Sequence, residues 1–198
     1  SHAPELARKW GLGLEVTDFC YAPMLDDPAT LPAVREKMAG IDHFWLHAPF
    51  AELAPCAVDP LVREVTARRY RQALSAARQL GIRRLVIHSG YIPLVYFPEW
   101  FTEQSVAFWR EFLPEVPEDM VLALENVLAA EYLKTEGDVI ADDAAMTQSV
   151  FRTHIKGQSL EELAEVIRAI QMLIRVEDTE GRNMLFCPFD VRRLHEPF

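Results

Sequence analysis

The chain has 198 residues, half of them hydrophobic and a quarter charged, enough apolar material for a core of one domain or two small ones. Thirty acidic against 20 basic side chains leave a net charge of −10, which repels nucleic-acid backbones and anionic membranes and argues against either as a partner. No run approaches a membrane span and the first ten residues lack the apolar centre of a signal peptide, so a cytoplasmic protein is expected; Cys20, Cys56 and Cys187 form no C-x-x-C pair, which argues against a disulfide framework or a thiolate zinc site.

The first predicted element is "GLGLEVTDF", a short apolar run with a β-branched middle, read as a buried strand within 11–18 that ends near Glu15 to Asp18. "DDPATLPAVREKMAG" (26–40) reads as a helix closed by Gly40. "HFWLHAPF" gives a strand over 43–48, stopped by Pro49. From Asp59-Pro60 a long helix runs to Gly81, with Leu61, Val65, Tyr70, Leu74, Ala77 and Leu80 along one side. "RRLVIHSG" predicts a strand over 84–89, bounded by charge and by Gly90. A Pro- and aromatic-rich loop follows (91–101), then a helix over 102–116 with Thr102 as N-cap and Val106, Trp109 and Phe112 on one side. "MVLALENVL" predicts a strand over 120–127.

Beyond about residue 130 the pattern weakens: 129–148 is polar and acidic, while "SVFRTHIKG" alternates like a strand. "SLEELAEVIRAIQMLI" is an amphipathic helix with Ser159 and Glu162 as a capping box, and "RNMLFCPFD" (182–190) reads as a last strand. The chain thus divides into βα units over 1–130 and a remainder, 131–198, with a β-α-β unit belonging to the same domain or to a small appended module. Strand-helix alternation in units of about 30 to 40 residues is the mark of βα repeats around a parallel sheet.

In such a sheet all carboxyl ends lie on one side, where βα loops build active sites. His47, His88 and Glu125, spaced 41 and 37 residues apart near the ends of three successive strands, then converge on one rim. Glu125 interrupts an apolar run, where an unpaired carboxylate costs several kcal/mol. It calls for a metal, a cation such as an Arg, or a strong donor. His47 is read as a metal ligand or substrate contact, or as a histidine bonded to backbone. For His88, the adjacent Ser89-Gly90 suits close approach of a ligand to the backbone. Glu15 is a proton-transferring carboxylate or a buried ion-pair partner, while Glu52 and Tyr91 are pocket-lining or loop-packing residues. His43 reads as surface and Cys56 as loop; Trp45, Trp100, Trp109 and Phe108 read as core and loop anchors before a sugar-stacking platform.

The stretches "GLGLEVTDF", "LHAPFAELAPCAVDPLVREVTARRYRQAL", "LVIHSGYIP", "WFTEQSVAFWREFL" and "LALENVL" resemble, in order and spacing, the xylose isomerase-like TIM barrels of the sugar phosphate isomerase/epimerase group, over residues 10–128. The resemblance implies an α/β, TIM-barrel-like fold, here with segments missing or the barrel incomplete, since a complete one takes about 250 residues. It also implies metal ligation by Glu125, His88 and His47, with substrate contacts from His47, Glu52 and Tyr91. Proton transfer would fall to Glu15 or His88.

The family's sixth-strand D-x-G-H motif has no counterpart; Asp142 or Asp143 in "VIADDAAM" is the nearest stand-in, and His154 in "FRTHIKG" is a weaker further ligand. Two histidines and a glutamate suit zinc or manganese before magnesium. The implied activity is a metal-dependent isomerase or epimerase that moves a proton through an enediolate on a small carbohydrate. One alternative is a metal-dependent phosphodiesterase like the apurinic-site endonucleases, against which the net charge argues. Another is a non-catalytic barrel-derived binding or assembly protein, since the tail is loosely similar to the ring-building modules of secretins. Open β edges of a partial barrel lead to the expectation of a homo-oligomer or of further segments.

Overall fold

The computed structural model describes residues 2–90, 97–125 and 152–173. An N-terminal helix α1 (Ala3–Trp10) ends on Gly11 and leads into β1 (Leu14–Val16). A 3-10 turn (Ala22–Leu25) precedes α2 (Thr30–Met38), then β2 (Phe44–His47) and α3 (Pro60–Leu80). β3 (Arg84–His88), α4 (Pro98–Phe112) and β4 (Val121–Glu125) follow, then β5 (Arg152–His154) and α5 (Leu160–Leu173).

The strands form one sheet in the order β1-β2-β3-β4-β5. The first four run parallel, one βα step at a time, as the alternation of strands and helices predicts. β5 is antiparallel to β4, with Arg152 opposite Glu125 and His154 opposite Ala123. Alternating apolarity predicts a strand but carries no information about its direction.

Register divides the sheet into two faces. Val16, Leu46, Leu85 and Leu122 form one row, and with Ile87 and Leu124 they pack beneath the helices. Tyr70, Ala73, Leu74 and Ala77 of α3 and Phe108, Trp109 and Phe112 of α4 complete that core. Tyr70 and Trp109 stack with centroids 6.0 Å apart. The opposite face carries Glu15, Trp45, His47, Val86, His88, Ala123 and Glu125.

Several expected boundaries move. α4 starts at Pro98 behind Phe97, so Thr102 lies inside the helix rather than capping it. Proline at a first helical position is a start signal, because its missing N–H is one the helix leaves unbonded anyway. Leu61 and Val65 share a periodicity with Tyr70 but are 67% and 54% exposed, because the first turns of α3 contribute nothing to the core; the buried stripe begins at Thr66. The helix expected over 26–40 spans only Thr30–Met38, and α4 ends at Phe112 rather than at 116. Other signals hold: Asp59 accepts from Leu61 N, Gly81 closes α3 in the left-handed region, and Ser159 and Glu162 exchange the two bonds of a capping box. The predicted strand 182–190 and the segment 129–148 lie outside the described residues. No helix among the described residues is long and apolar enough to cross a membrane.

Candidate metal centre

His47 closes β2, His88 closes β3, and Glu125 is the last residue of β4. Because the strands are parallel neighbours and His88 pairs in register with Glu125, the three side chains leave the same face at the same end of the sheet. One ligand atom from each lies within 4.8 Å of the other two. His47 Nε2 and His88 Nε2 are 3.1 Å apart, and His88 Nε2 is 3.4 Å from Glu125 Oε1. His47 and Glu125 are buried at 6% and 7% exposure, and His88 is half-buried.

The chemistry of this donor set fits a divalent cation. Nδ1–H of His47 donates to the Ala48 carbonyl at 2.8 Å, a tautomer that leaves the Nε2 lone pair facing the cluster. Burial, aided by the nearby His88, lowers the pKa of His47; the Ala48 bond and the charges of Glu125 and Glu15 oppose the shift without cancelling it. A ring kept neutral is the form that binds metal. Two imidazole nitrogens bound tetrahedrally to one zinc ion stand ~3.3 Å apart, close to the separation found here. Two histidines and one carboxylate also leave a fourth position open, as catalytic zinc sites do.

The other expected site residues scatter. Glu15 is half-buried on β1, in register with Trp45, so it shares the face that carries the three-residue cluster, one row below His47. Its charge reaches both His47 and Cys20. Trp45 sits beside Glu15 in that row, with Arg84 5.7 Å from its ring centroid. Glu52 is exposed, in a turn, with φ of 63°. His154 lies at the level of Ala123, its Nδ1 held by the backbone of Leu122, and is not part of the three-ligand group. Tyr91 and Asp142 lie outside the described residues. The tight approach at Gly90 is not to a ligand: a Cβ there would meet Pro55 and the Cys56 sulfur at 3.1 and 3.2 Å, so this glycine seats the 54–56 loop against the end of β3. His43 is exposed, and Cys56 is a buried residue of that loop.

The sequence reading missed Phe50. Its ring stacks on His88 with centroids 4.3 Å apart and meets the edge of His47 at 5.4 Å. The signal was its place three residues after His47 in "HAPF". Two clefts among the described residues lie away from the cluster. One of about 300 Å³ lies between α3 and α4, and one of about 440 Å³ lies beside Arg71, Arg78 and Pro117. Both are on the outer helical surface, where Arg71 is held by two bonds to Glu115.

A four-stranded parallel sheet backed by helices, with metal-capable side chains at its carboxyl rim, is the arrangement found in part of a TIM barrel. Over the part compared the fold is α/β and TIM-barrel-like. A D-psicose 3-epimerase from Clostridium cellulolyticum H10, solved with D-tagatose, matches with a TM-score of 0.51 at 21% identity, over 65% of this chain and 47% of that one. A D-tagatose 3-epimerase-like protein matches with a TM-score of 0.46 at 26% identity, over 52% of this chain and 40% of that one. An uncharacterized protein of Methanocaldococcus jannaschii is 40% identical over 48 residues, 24% of this chain and 16% of the relative. No family model matches the chain. The chain spans less than half the length of each of these proteins.

Proposed function

We propose that the chain carries the metal centre of a divalent-metal-dependent sugar or sugar-phosphate isomerase or epimerase, with zinc or manganese preferred over magnesium. The observation that carries this reading is the meeting of His47, His88 and Glu125 ligand atoms within 4.8 Å at the rim of three neighbouring parallel strands. The barrel fold adds support, since the enzymes built on it work at that rim.

His47, His88 and Glu125 would hold the cation, which when bound supplies Lewis-acid polarisation of a sugar oxygen. His47, locked by Ala48, presents Nε2 to the centre and cannot turn its N–H toward it. Glu15, on the same face and in the row below His47, would be the carboxylate that takes and returns a proton from a carbon beside the polarised oxygen. Its half-burial leaves it reachable by a small substrate. Glu52 and Tyr91 are the substrate contacts of this reading.

Elemental analysis of the purified protein against Glu125→Ala tests the centre. Near one equivalent of metal in wild type and at least ~10-fold less in the variant is the expected outcome. A metal-free wild type whose thermal stability is also unchanged by His88→Ala overturns it. The activity itself is tested by following exchange of a carbon-bound proton with solvent in a panel of free and phosphorylated ketoses, with Glu15→Gln expected to abolish exchange while metal content stays unchanged.

A further inference from the structure

The two histidines of the cluster are oriented by different means. His47 is fixed by its Nδ1–H bond to the Ala48 carbonyl. Such a bond on the far nitrogen is the usual way a protein fixes the ring and tautomer of a metal-binding histidine. Among the described residues, the polar contacts of His88 run through Nε2, to His47 and to Glu125. Its ring stacks on Phe50. The two rings are nearly parallel, 17° apart in plane and 4.3 Å between centroids, while Phe50 meets His47 at 68°.

We propose that Phe50 is a positioning residue for the metal centre: its stacked ring holds the imidazole of His88 in the rotamer that aims Nε2 at the centre, the role that the Nδ1–H bond plays for His47. A face-on contact restricts rotation of the imidazole about its own axis, which is the freedom an Nδ1 bond would otherwise remove. It also covers one side of His88 against water.

Phe50 is itself placed by backbone. Pro49 precedes it, its N–H donates to the Cys20 carbonyl at 3.4 Å, and its carbonyl accepts from Leu53 N at 3.2 Å. The loop after β1 and the turn after β2 therefore set where the ring stands. With 41% of its surface exposed, Phe50 contributes little to the core, and its conspicuous position on a surface loop is explained by what it holds.

The inference rests on the metal-centre reading, and the test separates the two. Metal-stripped full-length wild type, Phe50→Ala, Phe50→Tyr, His88→Ala and the double variant Phe50→Ala/His88→Ala are titrated with Co²⁺, following its visible d–d absorption and the binding heat, with apo melting temperatures as a folding control. Phe50→Ala is expected to bind ~10-fold or more weakly than wild type with an apo melting temperature close to it, and Phe50→Tyr to restore affinity. In the His88→Ala background, Phe50→Ala is expected to change nothing further, because the ring it orients is gone. Wild-type affinity in Phe50→Ala, or an equal loss with and without His88, overturns the positioning role while leaving the metal centre standing. Absence of Co²⁺ binding by wild type overturns both.

Discussion

At the scale of single residues, the chain keeps polar groups in places where they cost stability, and His47 is one of them. Burial lowers its pKa below the ordinary value of 6.5. As pH falls through about 6.5, the unfolded chain takes up a proton that the folded chain resists, so stability is full above that pH. It declines as pH drops toward the folded value. Urea midpoints of metal-free protein are therefore expected to fall between about pH 7 and pH 5, and to fall less in His47→Gln, which has no such proton to refuse. Tyr70 is a second case. Its ring is fully buried among Phe108, Trp109 and Phe112, and its hydroxyl has no partner among the described residues. A buried hydroxyl without a partner is a net cost, so Tyr70→Phe is expected to leave stability unchanged or raise it by up to ~1 kcal/mol by chemical denaturation. A loss of more than that would mean the hydroxyl is satisfied by a buried water.

Elements place these residues, and most were legible because their ends are chemically marked. Gly81 stops α3, Pro60 starts it, and Leu85-Val86-Ile87 between Arg84 and His88 reads as a buried strand without ambiguity. The convergence of His47, His88 and Glu125 was legible too, since strand-helix alternation fixes parallel order and parallel order fixes which end each side chain shares. What the sequence concealed depends on three dimensions. Phe50 sits in a loop, where no period predicts that a ring will lie flat on an imidazole. The exposure of Leu61 and Val65 depends on what faces the first turns of α3, which helical spacing cannot express. The turn after β2 shows the same limit: Glu52 reads as a polar loop residue, yet it adopts a left-handed backbone, which costs a side-chain-bearing residue ~1 kcal/mol or more. Glu52→Gly is expected to leave stability unchanged or raise it by up to ~1 kcal/mol, because relief of that strain offsets the added freedom of the unfolded chain. If Glu52 also contacts substrate, the same variant raises KM without lowering thermal stability, and comparison of the two measurements separates the roles.

For the whole molecule, the cluster matters because its ligands come from three strands of three successive βα units. β2, β3 and β4 are already joined by their backbone ladder, but their carboxyl ends finish at the sheet rim. A cation held by His47, His88 and Glu125 would cross-link those ends and would bind only when all three strands are in register, that is, only in the folded state. Binding confined to the folded state raises stability by ~2.7 kcal/mol at 100 times the dissociation constant. For a chain of this size, 1 kcal/mol moves the melting temperature by about 2–4 °C, so saturating zinc or manganese is expected to raise it by roughly 5–10 °C. A chelator should reverse the shift, Glu125→Ala should not show it, and His88→Ala should show less of it. Hydrogen exchange provides the spatial control: metal should slow exchange at the amides of 44–48, 84–89 and 121–125 more than at β1 or α1, which supply none of the three ligands. A melting temperature that rises equally in wild type and in Glu125→Ala would place the bound ion elsewhere on this acidic surface and remove the rim as the protein's metal centre.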